Sequence, residues 1–139
     1  MASVIREIDI DAPPETVWSA VGDFAGGPLK TCPGLIVACL LEAPDLRVMT
    51  FADGTVARER LIARDDAARR IVWGWVGEAV AHDNTSMQVF PVGTGGSRLV
   101  WIHDTLPDEL TNWLAPAMDQ VSLVLKRAME SAPEAGGTA

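Results

Sequence analysis

Glu59 and His103 are the side chains whose type and setting best suit them to move a proton. Glu59 lies in TVARERLIAR, residues 55–64. Written as a strand, that stretch puts Val56, Arg58, Arg60, Ile62 and Arg64 on one face and Ala57, Glu59, Leu61 and Ala63 on the other. The mostly basic face belongs to water, so the small apolar face and its carboxylate belong inside. Two roles are open to such a carboxylate. It can be paired with an arginine or hydrogen-bonded across the sheet, as buried charges usually are. Or it can stand in a cavity, where desolvation would raise its pKa and poise it as a general acid or base. His103 lies in SRLVWIHDTL, 97–106, and imidazole needs little tuning to transfer protons near neutral pH. Leu99, Trp101 and His103 share one face, and Val100, Ile102 and Asp104 the other. Periodicity does not choose between them, and Asp104 takes the same candidacy if its face is the inner one.

A second group could orient a substrate. In HDNTSMQVFPV, 82–92, Asn84, Ser86 and Gln88 share a face opposite Thr85, Met87 and Val89. Turned inward, the first set would form a hydrogen-bonding stripe for a carbonyl or hydroxyl. A one-residue slip would invert the assignment. His82 and Asp83 follow a loop and are expected to be partly exposed. In RRIVWGWVG, 69–77, Trp73 and Trp75 oppose Val72, Gly74 and Val76. Gly74 facing inward would leave room for a ligand, whereas the tryptophans facing inward would be pocket walls.

Cys32 and Cys39 are seven apart, and with two histidines they complete no zinc pattern. Reduced thiols and no metal are expected. GTGGS at 93–97 has no following helix, so it is no phosphate cradle. The 139 residues carry 11 basic and 19 acidic side chains, a net charge of −8, which argues against nucleic acid and anionic membrane as partners. The N-terminus alternates and carries charge where a signal peptide would be apolar, and no apolar run is long enough to span a bilayer. A soluble, cytoplasmic protein is expected.

The elements that must position these residues come in a simple order. SVIREIDI, 3–10, alternates as a strand. DAPPETVWSAVGDF, 11–24, opens with prolines and closes on glycines, as a helix does, and LKTCPG is a short helix or turn. Strands follow at 35–43, 46–52, 55–64, 69–77, 82–92 and 97–106, with Asp53-Gly54 a hairpin signal. Residues 107–132 have helical spacing, with Leu110, Trp113, Leu114, Ala117, Met118, Val121, Val124, Leu125, Ala128 and Met129 in one stripe and Pro116 predicting a kink or break. Short turns imply an antiparallel meander. The spacing predicts an α+β domain over 1–132, a curved antiparallel sheet of six to seven strands around a long C-terminal helix, with one or two short helices after the first strand. A flexible tail is expected at 133–139.

IDIDAPPETVWSAVGDF, ADGTVARERLIARDDAARR with its RERL…DD core, and SRLVWIHDTL before a long helix together resemble the START/birch-pollen-allergen (SRPBCC) superfamily, and most of all its small bacterial polyketide cyclase/dehydrase-like proteins. The resemblance covers residues 4–131 and implies a helix-grip fold with an internal cavity for a hydrophobic ligand. The ERL…DD segment is similar to plant abscisic-acid receptors, which implies that Glu59 points into the cavity. It also implies that Trp101 and His103, the Asn84/Ser86 face and Gly74 turn inward. Val37 stands where those receptors carry a ligand-pairing lysine, so hormone-like carboxylate binding is not expected. The chain contains no tyrosine, which removes the phenol that many relatives place in the cavity.

The function this implies is cofactor-free acid/base chemistry, a cyclisation, dehydration or related lyase or isomerase step, on an aromatic or polyketide-like molecule. Glu59 and His103 would be catalytic. Asn84, Ser86, Trp101, Gly74, Trp113, Ala117 and Val37 would be the substrate-binding positions. The alternative is a non-catalytic carrier or sensor of a hydrophobic small molecule. A homodimer is compatible with either.

Overall fold

The computed structural model describes residues 2–133. Seven strands form one antiparallel sheet: β1 (Ala2–Ile10), β2 (Ile36–Ala43), β3 (Leu46–Phe51), β4 (Val56–Asp65), β5 (Arg70–Trp75), β6 (His82–Val92) and β7 (Gly96–Leu106). Their order across the sheet is β1-β7-β6-β5-β4-β3-β2. Strands β2 to β7 are a meander, as their short turns require. β1 pairs with β7 from Ala2↔Thr105 to Ile10↔Ser97, so the first and last strands are neighbours. Two short helices, α1 (Pro14–Val21) and α2 (Gly27–Thr31), carry the chain from the β1 edge to the β2 edge. The long helix α3 (Thr111–Ser131) lies against the sheet, completing the helix grip. Of the tail expected at 133–139, residues 134–139 lie outside the described residues.

Local sequence explains these elements. Pro14 starts α1, where its missing N–H costs nothing. Gly22 ends it, and a Cβ there would meet the Trp18 ring at 2.7 Å. α3 runs unbroken through Pro116. That proline stands in the helix's second turn, where it forfeits one backbone bond, and the packed stripe of Leu114, Met118, Leu125 and Met129 holds the turns on either side. The stripe is narrower than its spacing predicts, since Trp113 is half exposed.

The interior divides unequally. The main core joins β1, β5, β6 and β7 to α1 and α3 through Val17, Ile71, Leu99, Met118 and Leu125, all fully buried. A smaller cluster of Cys32, Ile36, Cys39 and Met49 lies under α2 at the other edge. Between them the sheet and the first half of α3 do not meet, and a cavity of about 360 Å³ remains. Among the described residues no helix is long and apolar enough to cross a membrane.

Candidate functional site

The cavity is walled by Trp73, Trp75, Met87 and Trp101 from the sheet, by Trp113, Leu114, Ala117 and Met118 from α3, and by Thr31, Cys32 and Leu35 from the α2 end. Its size and apolar lining with a few polar groups suit a small hydrophobic ligand. Arg47, Glu59 and His103 are the buried charged or titratable groups on its wall beside the thiol of Cys32. Burial pushes that thiol upward in pKa, so it stays protonated and unreactive.

Glu59 lies inside, 4% exposed, as alternation along β4 requires. It does not stand alone. Arg47, directly opposite on β3, donates from Nε at 2.9 Å and approaches with Nη2 at 2.7 Å, both to Oε1. Arg47 Nη1 donates to the Phe24 carbonyl at 3.1 Å, and its guanidinium lies 4.5 Å from the Phe24 ring centre and 5.0 Å from that of Trp73. Of the two roles open to Glu59 in the sequence, the ion pair is therefore present within the cavity wall itself. A charge pair this buried holds when its remaining hydrogen bonds are filled, and here backbone and aromatic faces fill those of the cation.

His103 is 3% exposed and sits between two tryptophans, with ring centres 5.3 Å from Trp75 and 5.8 Å from Trp101. Its Nδ1 lies 3.0 Å from Asp83 Oδ1 and 2.7 Å from Thr85 Oγ1, which is also 3.2 Å from Nε2. Thr85 donates to Asp83 Oδ2 at 3.0 Å, and the Trp75 backbone N–H donates to the same oxygen at 3.0 Å. These bonds are mutually consistent when Nδ1 carries the proton. Asp83 and Thr85 then both accept from it, and Nε2 keeps its lone pair with Thr85 Oγ1 3.2 Å away.

β6 corrects the expected orientation. Asp83, Thr85, Met87 and Val89 are its inner residues, while Asn84, Ser86 and Gln88 are half-buried on the outer face. β5 is inverted with it: Trp73 and Trp75 line the cavity and Gly74 points away. The two corrections are one, because Trp73 pairs with Thr85 and a shared register turns both strands together. Gly74 makes room for backbone rather than for ligand, since a Cβ there would meet the Asp83 carbonyl oxygen at 2.5 Å. Val37 is corrected as well. It is 58% exposed, and Ile36 lines the cavity in its place, next to an irregularity in the β2–β3 ladder.

Of the remaining expected positions, Trp101, Trp113 and Ala117 line the cavity beside Glu59 and His103. Asp104 lies on the outer face and accepts from Ser3 Oγ at 2.5 Å. His82 is exposed, but Asp83 next to it is 7% exposed and belongs to the site. Arg47, Asp83 and Thr85 were not singled out by sequence. The signal for the last two was the plain apolar alternation of Met87 and Val89.

Trp73 Nε1 and Trp101 Nε1 are buried without a hydrogen-bond partner. An orphaned donor of this kind costs about 1–3 kcal/mol.

The profile of the family described as polyketide cyclase / dehydrase and lipid transport matches residues 1–134. No curated protein matches the chain by sequence. Among known structures, XoxI from Bacillus cereus superposes with a TM-score of 0.82 at 22% identity, covering 94% of this chain and 97% of its own. The Zhui aromatase/cyclase from Streptomyces sp. R1128 does so at 0.68 and 19% identity, with 93% and 91% covered. A START superfamily protein from Mycobacterium smegmatis gives 0.69 and 18% identity, with 92% and 94% covered. These structural likenesses establish the helix-grip fold, and the profile match over almost the whole length establishes the lineage. The chain belongs to the polyketide cyclase/dehydrase and lipid transport family.

Proposed function

We propose that the protein takes an aromatic or polyketide-like molecule into the tryptophan-walled cavity and catalyses proton-transfer chemistry on it, a cyclisation, dehydration or related lyase or isomerase step. The observation that carries this reading is His103 on the cavity wall with its Nδ1 held 3.0 Å from the buried Asp83 carboxylate. His103 is the catalytic acid/base. Its Nε2 removes a proton from a carbon beside a ligand carbonyl and returns it to a departing hydroxyl. Asp83 is a positioning residue that keeps the proton on Nδ1 and stabilises the imidazolium formed in passing. The apolar walls exclude water and hold the ligand in one pose. Glu59, already engaged by Arg47, fixes the ligand rather than acting as the second half of an acid/base pair.

The same engagement of Glu59 favours a second reading, a carrier or sensor that performs no chemistry. The test begins with native mass spectrometry of protein purified from its own host and identification of the bound molecule. Precursors of that molecule are then offered to wild type and to His103→Asn. The enzyme reading expects ligand affinity within a few-fold of wild type and turnover lower by about 10²–10⁴ in the variant. A wild-type protein that binds its molecule and converts neither it nor its precursors is a carrier.

A further inference from the structure

Asp83 is a buried carboxylate that no fixed cation answers. At 7% exposure it accepts from the Trp75 backbone N–H, the Thr85 hydroxyl and His103 Nδ1, and among the described residues no lysine or arginine pairs with it. While His103 carries a single ring proton, those bonds hold the charge in place without cancelling it, and a buried charge is ordinarily met by an opposite one. The rest of the lining does not make up the difference. Arg47 is its one fixed cation among the described residues, against Glu59 and the exposed Asp53. Rings face this surplus of negative charge. Four of the chain's five tryptophans line the cavity. Trp113, Trp75, His103 and Trp101 follow one another, with ring centres 5.4, 5.3 and 5.8 Å apart and planes inclined by 50°, 49° and 54°. A flat ligand cannot stack on all of these at once, whereas a compact rounded group can touch several. Indole faces attract positive charge, and Trp73 already does so here, 5.0 Å from the Arg47 guanidinium. Trp75 is half-buried and Trp113 is 52% exposed, so each retains surface for a ligand.

Building on the reading of the cavity as an aromatic site, we infer that its ligand carries a compact organic cation, a methylated or protonated amine, on its aromatic body. The cation lies against the Trp75 and Trp113 rings. Asp83, one hydrogen bond beyond the His103 ring, supplies the opposing charge, and His103 stays uncharged between them. The chain's net charge of −8 favours the approach of such a ligand.

Isothermal titration calorimetry at about 0.15 M salt, where the pull of surface charge is largely screened, tests this with two phenols of one shape. 4-Hydroxyphenyltrimethylammonium and 4-tert-butylphenol differ by a charged nitrogen in place of a carbon. The cation should bind wild type at least about tenfold more tightly. Trp113→Leu and Asp83→Asn should each cut that ratio by about threefold or more, while Asp83→Asn keeps its affinity for 4-tert-butylphenol within a few-fold of wild type. Equal affinity of wild type for the two probes, or preference for the neutral one, overturns the inference and leaves the aromatic site standing. A preference that survives the substitutions also overturns it, since the attraction then comes from the surface at large. Failure of both probes to bind overturns the aromatic reading and the inference with it. Trp113→Leu, at a half-exposed position, supplies the variant readout even if Asp83→Asn fails to fold.

Discussion

Two buried stations, Arg47–Glu59 and Asp83–His103, reach the same cavity, the second through its histidine, yet they solve the burial of charge in opposite ways. At Arg47–Glu59 two opposite charges neutralise each other, and the guanidinium is closed off by the Phe24 carbonyl and two aromatic faces. At Asp83–His103 a carboxylate is held by a threonine hydroxyl, a backbone N–H and an imidazole. The first arrangement has no proton that leaves easily, so it suits anchoring and shape. The second contains an imidazole whose Nδ1 is tied to Asp83 and Thr85, which is the geometry the proposed proton transfer through the other nitrogen uses. Burial alone thus says little about role. What separates anchor from acid/base is whether the partner of the carboxylate can change its charge.

That contrast can be broken most forcefully at its anchor. Arg47→Met leaves Glu59 buried without its cation, and urea unfolding should show a loss of about 3–5 kcal/mol. Arg47→Met with Glu59→Leu should recover most of it. A single variant as stable as wild type would mean the pair is not what holds that wall.

A smaller blow falls on the other station alone. Gly74→Ala drives a Cβ against the Asp83 carbonyl oxygen, 2.5 Å away, and should destabilise by about 1–3 kcal/mol. Imidazole resonances of His103 should move while the Arg47 Nε–H resonance stays in place. Movement of both would show that the stations are mechanically coupled. Thr85→Val keeps shape and removes one donor to Asp83, for an expected loss of about 1–2 kcal/mol in thermal unfolding. Restoration by Thr85→Ser would assign the loss to the hydroxyl.

The smallest effect concerns pH at the anchor's edge. Burial raises the pKa of both Cys32 and Cys39 in the folded protein. Their stabilising contribution is therefore full below the pKa of an unfolded thiol and is lost as pH rises through the folded values. Stability measured from neutral to alkaline pH should fall, and Cys32→Ala with Cys39→Ala should flatten the fall. An equal slope in that double variant would place its origin elsewhere.

Alternation sufficed to turn Glu59 inward, because the arginines beside it leave no other choice of face. It could not reveal Arg47. A two-residue loop at Asp53-Gly54 would set Val48 opposite Glu59. The turn takes three residues, with Phe51 N–H donating to the Thr55 carbonyl, and this brings Arg47 there instead. One residue of loop length thus decides whether the carboxylate is paired. On β6 the sequence itself carries the information. Met87 and Val89 mark the inner face by their own chemistry, whereas family resemblance favoured Asn84 and Ser86. Resemblance fixes the order and number of strands across distant relatives. It does not fix the facing of a strand where a bulge or a close backbone approach, such as that at Gly74, shifts the ladder locally. Trp73 and Trp75 shared that fate because their strand is tied to β6 through Trp73 and Thr85.

The pairing of β1 with β7 has a consequence in time. Ile10 waits for Ser97, and Ala2 for Thr105, so the opening strand has no sheet partner until most of the chain exists. Emerging at about 5–20 residues per second, it stays unpaired for some seconds, with Val4, Ile8 and Ile10 ready to be covered. The closing of the grip is therefore a late, non-local event, and contacts of such separation slow folding. The meander β2 to β7 can assemble first, which places Glu59 and His103 on a growing sheet before β7, the strand that carries His103, has been locked from its far side by β1.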